Sequence, residues 1–179
     1  ITENKQNPDF SKKTGILYLG STKYQNSGFN TFLAFEKKYQ KHYNFYVLSG
    51  DNHLHDLTKG TTVKVAKIPR ETIPVYIKEN NIAYAFHTRP RNSYDDLTFP
   101  IKVFDFLSFQ LPFLSEQHVP LKKLVSNQYQ LFVSMNNLEG IHEKIQRIDK
   151  KEYTLLADFL KEIALNNTYQ KRYDQILEI

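Results

Sequence analysis

The 179-residue chain has no cysteine, no tryptophan and a single methionine. Without cysteine there is no disulfide framework, no thiolate nucleophile and no cysteine-ligated zinc. No apolar run approaches the roughly 20 residues that span a bilayer. No secretory leader or lipidation box is visible. The chain begins with Ile1 rather than Met, as expected of a processed protein or an excised domain. There is no internal repeat and no low-complexity tract, which excludes solenoid and fibrous architectures. A Walker loop, a GxGxxG fingerprint, a GxSxG elbow and a Ser–His–Asp order are also missing.

What is present belongs to a globular protein. Hydrophobic residues make up 40% of the chain, enough for one domain with a real core. The net charge is +5. Such a balance suits a phosphate-bearing ligand, an anionic membrane surface or nucleic acid. The lysines are scattered, however. Lys37, Lys38 and Lys41 fall on one expected helix, and Lys122 and Lys123 on another. They read as solvated helix faces, and no nucleic-acid partner is expected.

The pattern alternates between strands and helices. Residues 1–13 are polar and read as a linker or extended entry segment. Apolar runs at 15–20, 44–50, 62–68, 82–88, 111–115 and 129–135 read as six strands. Helical periods occupy 29–43, 69–81, 99–110, 119–127 and 137–148, with two terminal helices at 153–167 and 168–179. The segment DNHLHDLTKG (51–60) reads as a loop. This order predicts an α/β fold over residues 14–179. It is a Rossmann-like three-layer αβα sandwich, with a mainly parallel sheet of about six strands. In such sheets ligands bind beyond the carboxyl ends of the strands, at the switch point of strand order.

One stretch at that edge carries unexpected charge. FPIKVFDFLSFQLPFLS (99–115) is mostly apolar, yet it holds Lys102 and Asp105. Residues three apart share a helix face. Pro100 suits a helix start, because its missing N–H would have had no intrahelical acceptor. Free N–H groups of the first turn attract an anion. Thr98, Lys102 and Asp105 would then form a clamp, with the helix N-terminus and lysine for phosphate and the carboxylate for a ribose diol. The alternative is a surface ion pair worth a few tenths of a kcal/mol. Both readings stand on spacing alone.

The element order, with GILYLGSTKYQNSGFNTFLAFEKKY, NFYVLSG, TIPVYIKENNIAYAFHTRP and above all FPIKVFDFLSFQLPFL, resembles the C-terminal, donor-binding domain of GT-B glycosyltransferases. The resemblance runs over about residues 14–178. Pro100, Lys102, Asp105 and Pro112 follow the family's P-x-K-x-x-E-Y-x-x-x-G-x-P segment in order and spacing. Lys102 matches the lysine that one branch, which includes bacterial exopolysaccharide enzymes, places beside the diphosphate. The resemblance implies a nucleoside-diphosphate sugar as substrate, a UDP-sugar in preference to a GDP-sugar, and no further cofactor or metal. It implies donor contacts from Gly20, Ser21, Thr22, Lys23, Ile68, Thr98, Phe99, Pro100, Ile101, Lys102 and Asp105. Asp95 is the candidate for a sugar contact. It implies a partner N-terminal domain that carries the acceptor site, a saccharide or lipid-linked acceptor, and a cytoplasmic location at the inner face of the plasma membrane.

The sequence also departs from the family. Ser21 and Ser27 stand where relatives carry an arginine and a lysine, with Lys23 as a substitute. Asp105 replaces the usual glutamate, and Gln110 replaces a glycine. Eight residues before Asp105, where many retaining relatives carry a second carboxylate, stands Leu97. These departures support a second reading, a binding or accessory module that keeps the fold without transfer. His53 and His55 read as loop residues rather than metal ligands. His87 and Arg89, at the end of the fourth strand, read equally as functional groups or as a satisfied polar loop.

Overall fold

The computed structural model describes residues 7–24, 26–94, 96–168 and 170–171. Asp95 and most of the expected last helix lie outside the described residues. Five strands form one sheet: β1 (Gly15–Leu19), β2 (Asn44–Leu48), β3 (Lys64–Ala66), β4 (Ile82–His87) and β5 (Phe113–Ser115). All neighbours are parallel, in the order β3-β2-β1-β4-β5. Every residue of β4 is buried, as a strand covered on both faces must be. Order reverses between β1 and β4, so the switch point lies beyond Leu19 and His87.

The helices are α1 (Phe29–Tyr39), α2 (Leu54–Leu57), α3 (Ile73–Glu79), α4 (Ile101–Ser108), α5 (Val119–Val125), α6 (Leu138–Arg147) and α7 (Lys150–Asn166). Apart from α2, which falls in an expected loop, the helices follow their expected positions, most with shorter ends and α7 starting three residues early. α1 turns an aromatic stripe to the sheet. Phe32 and Phe35 lie edge-on to Phe45 and Phe86, at centroid distances between 5.4 and 6.2 Å. Glu36 on the same helix is also buried, and its carboxylate accepts from the Thr62 N–H at 2.8 Å and the Thr62 hydroxyl at 2.6 Å. That pairing removes the cost of burying a bare charge. α7 starts with a capping box between Asp149 and Glu152 and packs on α4.

Residues 8–13 lie against the domain. Asp9 accepts from the Ser11 N–H at 3.0 Å, and Phe10 meets Tyr153 edge-on at 5.4 Å. α2 occupies part of the expected loop 51–60, because Leu54 is fully buried and anchors one turn.

The expected sixth strand at 129–135 is the main correction. Only a single bridge joins Ser115 to Phe132. The Tyr129 hydroxyl accepts from the Phe113 N–H at 2.9 Å and donates to the Phe113 carbonyl at 3.0 Å. A side chain thus takes the ladder bonds that a sixth strand would have used. Gln110, the residue in place of the family's glycine, has φ +53° just past the C-cap of α4. The position calls for a left-handed residue, which explains a glycine there.

Candidate functional site

A cleft of about 460 Å³ opens at the switch point. Its walls come from the β1–α1 loop (Ser21, Tyr24, Ser27), the end of β4 (His87, Arg89) and the approach to α4 (Thr98 to Lys102). Two close contacts build it. Gly28 has φ +69°, and a Cβ there would stand 1.9 Å from the Thr88 carbonyl oxygen. The start of α1 therefore presses against the end of β4. The Tyr18 hydroxyl donates to the Ser21 carbonyl at 3.0 Å and shapes the intervening loop.

Lys102 is the central cation. Its chain lies over Gly20, where a Cβ would come within 2.6 Å of Cε and 3.0 Å of Nζ. Its Nζ sits 5.1 Å from the Tyr18 ring centroid, a cation–π geometry. Burial and the neighbouring Arg89 lower its pKa, while Asp51 and Asp105 act the other way. The N–H groups of Ile101 and Lys102 open α4, and Pro100 at its N-cap supplies no side-chain cap. First-turn N–H groups have no intrahelical acceptor.

Asp105 faces elsewhere. Among the described residues it pairs with Arg70, from the 3-10 turn Arg70–Thr72, and not with Lys102. Burial raises its pKa, with Arg70 and Lys102 partly opposing. The simple ion pair between positions 102 and 105 is thus not the arrangement found. Ile68 packs half-buried on the core just before Arg70.

The β1–α1 loop departs from an open phosphate cradle. Asp51, in the loop after β2, accepts from the Thr22 N–H at 2.7 Å and from the hydroxyls of Ser21 at 3.0 Å and Thr22 at 3.1 Å. Burial pushes the Asp51 carboxyl up, but these hydrogen bonds outweigh it and hold the pKa low. Lys23 is exposed and its N–H donates to the Ser21 hydroxyl at 3.2 Å.

So the structure gathers Ser21, Thr98, Phe99, Pro100, Ile101 and Lys102 in one cleft, with Gly20 beneath the lysine. Thr22 turns to Asp51, and Asp105 lies one turn further along α4. Leu97 is 86% exposed. The sequence places Ile68 to Arg70 after the third strand, where relatives contact the base, and Asp51 in the loop after the second. It does not foresee that Arg70 pairs with Asp105 or that Asp51 holds the β1–α1 loop.

No family model and no curated protein matches the chain. Solved structures do. The catalytic domain of cholesterol-alpha-glucosyltransferase from Helicobacter pylori is 12% identical, over 88% of this chain and 100% of that one, with a TM-score of 0.64. The C-terminal domain of a glycosyl transferase group 1 family protein from Francisella tularensis is 10% identical, over 93% of both, with a TM-score of 0.59. The UDP-forming alpha,alpha-trehalose-phosphate synthase from Burkholderia vietnamiensis is 9% identical, with a TM-score of 0.66. This chain spans 94% of itself but 43% of that enzyme. At such identities the likeness is one of fold, and that fold is the Rossmann-like domain of GT-B glycosyltransferases.

Proposed function

We propose that this chain is the donor-binding half of a glycosyltransferase and that the cleft between β1 and β4 takes a nucleoside-diphosphate sugar. The observation that carries the reading is Lys102. A half-buried lysine at the start of α4, folded over Gly20 at the switch point, supplies positive charge where such sheets bind ligands. Lys102 and the first N–H groups of α4 receive the diphosphate. They stabilise the charge that grows on it as the sugar leaves. Asp105 accepts ribose hydroxyls once Arg70 moves aside or shares it. A UDP-sugar is favoured over a GDP-sugar. The acceptor, a saccharide or lipid-linked group of a cell-surface polysaccharide, is held by an N-terminal domain. The setting is the cytoplasmic face of the plasma membrane. Among the described residues no helix is long and apolar enough to cross a membrane.

One observation favours the second reading, an accessory module without transfer. The Asp51 carboxylate already occupies the Thr22 N–H and the two hydroxyls that a phosphate would use. Calorimetric titration with UDP, GDP and their sugar conjugates separates the two. Saturable binding that Lys102→Ala abolishes supports the donor site. Absence of binding up to millimolar nucleotide supports the accessory module.

A further inference from the structure

His87 closes β4 and lines the cleft while only 4% exposed. Its two ring nitrogens have different surroundings. Nδ1 lies 2.9 Å from the Ser115 hydroxyl oxygen. That hydroxyl donates its one hydrogen to the Glu116 carbonyl at 3.0 Å. With its hydrogen there, the hydroxyl accepts from His87, an assignment that puts the ring proton on Nδ1. Among the described residues Nε2 is buried with no hydrogen-bond partner. The ring of His118 stands 5.7 Å away, edge-on, and its Nε2 lies 3.3 Å from the Arg89 carbonyl. Lys102 and Arg89 line the same cleft and act on the His87 ring electrostatically.

We infer that His87 is a specificity-determining residue whose unprotonated Nε2 accepts a hydrogen bond from a hydroxyl of the sugar moiety. The assignment rests on the donor-site reading above. A neutral ring with the proton on Nδ1 offers a lone pair at Nε2. A lone pair repels phosphate oxygen and welcomes a hydroxyl proton. Lys102, in the same cleft, serves the opposite need, so the two divide one ligand between its charged and its hydroxylated parts. Burial, then His118, Lys102 and Arg89, depress the His87 pKa, in keeping with a neutral ring. Nε2 is buried, so reaching it takes a shift of the residues that line the cleft.

Two measurements test this. In the first, the wild-type chain and His87→Phe are titrated with UDP, GDP and their hexose conjugates, with thermal melts to verify folding. The expected result is about tenfold weaker binding of the hexose conjugate and unchanged binding of the bare nucleotide. Equal losses for both ligands assign His87 to the nucleotide and overturn the inference, as does an unchanged affinity for the conjugate. Binding by no nucleotide at all sinks the donor-site reading itself, and this assignment with it. The second needs no variant: nitrogen NMR of the 15N-labelled histidine rings. Nε2 of His87 should carry no proton, and its resonance should move with the sugar conjugate but not with the bare nucleotide. A proton on Nε2 in the free chain overturns the assignment.

Discussion

Lys102 and Asp105 stand three apart on α4 yet serve different neighbours, one over Gly20 and Tyr18, the other against Arg70. Asp105→Ala is expected to weaken nucleotide binding by roughly 1–3 kcal/mol, the cost of losing charged hydrogen bonds. Calorimetry would show it, and an unchanged dissociation constant would remove Asp105 from the ribose role. The spacing of Pro100, Lys102 and Asp105 was legible in sequence, because a helix turn fixes which residues are near. The contacts made by Arg70 and Asp51 were not. Both residues arrive from other strand ends, and nothing local to α4 encodes them. His87 makes a second prediction at this scale. Its pKa falls from the ordinary 6.5 to about 3 on folding. Below pH 6.5 the unfolded chain then binds the extra proton, and stability falls as pH drops toward 3. The slope from this one group approaches about 1.4 kcal/mol per pH unit. Urea denaturation from pH 7 to 4 should show a shallower loss for His87→Phe than for the wild type. Parallel curves would mean that the histidine is not held neutral.

At the scale of elements, junctions matter more than lengths. Gly28→Ala places a methyl group against a backbone carbonyl and keeps a left-handed φ. A backbone cannot yield as a flexible side chain does. The variant should lose roughly 3 kcal/mol or more in urea denaturation, and nucleotide affinity with it, since this contact sets the cleft wall. Asp149→Ala breaks the capping box of α7 and should cost about 1 kcal/mol. Five of the six expected strands and the helix between 99 and 110 could be read from periodicity and from proline at helix starts. The segment 129–135 has the composition of a strand, but Tyr129 fastens it through a side chain. Composition does not reveal which group will make a hydrogen bond. α2 escaped notice because four residues are too few to show a period.

Considered whole, the chain is one parallel sheet with its ligand edge at the reversal between β1 and β4. A ligand that binds only the folded state raises the melting temperature. A nucleotide at about one hundred times its dissociation constant adds about 2.7 kcal/mol. For a domain of this length that is a rise of roughly 5–10 °C. Differential scanning calorimetry with UDP and with UDP-hexose would measure it, and identical traces with and without nucleotide would argue for the accessory module. The fold class and the edge of the sheet that bears the cleft were both legible, since strand–helix alternation dictates them. The occupied state of the β1–α1 loop was not, because the Asp51 contacts join residues some thirty positions apart.

The parallel register also governs how the chain reaches this state. Gly15 of β1 pairs with Asn44 on one side and with Ile82 on the other. At about 5–20 residues per second, a ribosome delivers the second partner several seconds after β1 emerges. Until then Ile16 and Leu17, wholly buried at the end, have one flank open. The central strand of the ligand edge is therefore the first made and among the last enclosed. A nascent chain halted before β4 should be the species most prone to capture by chaperones.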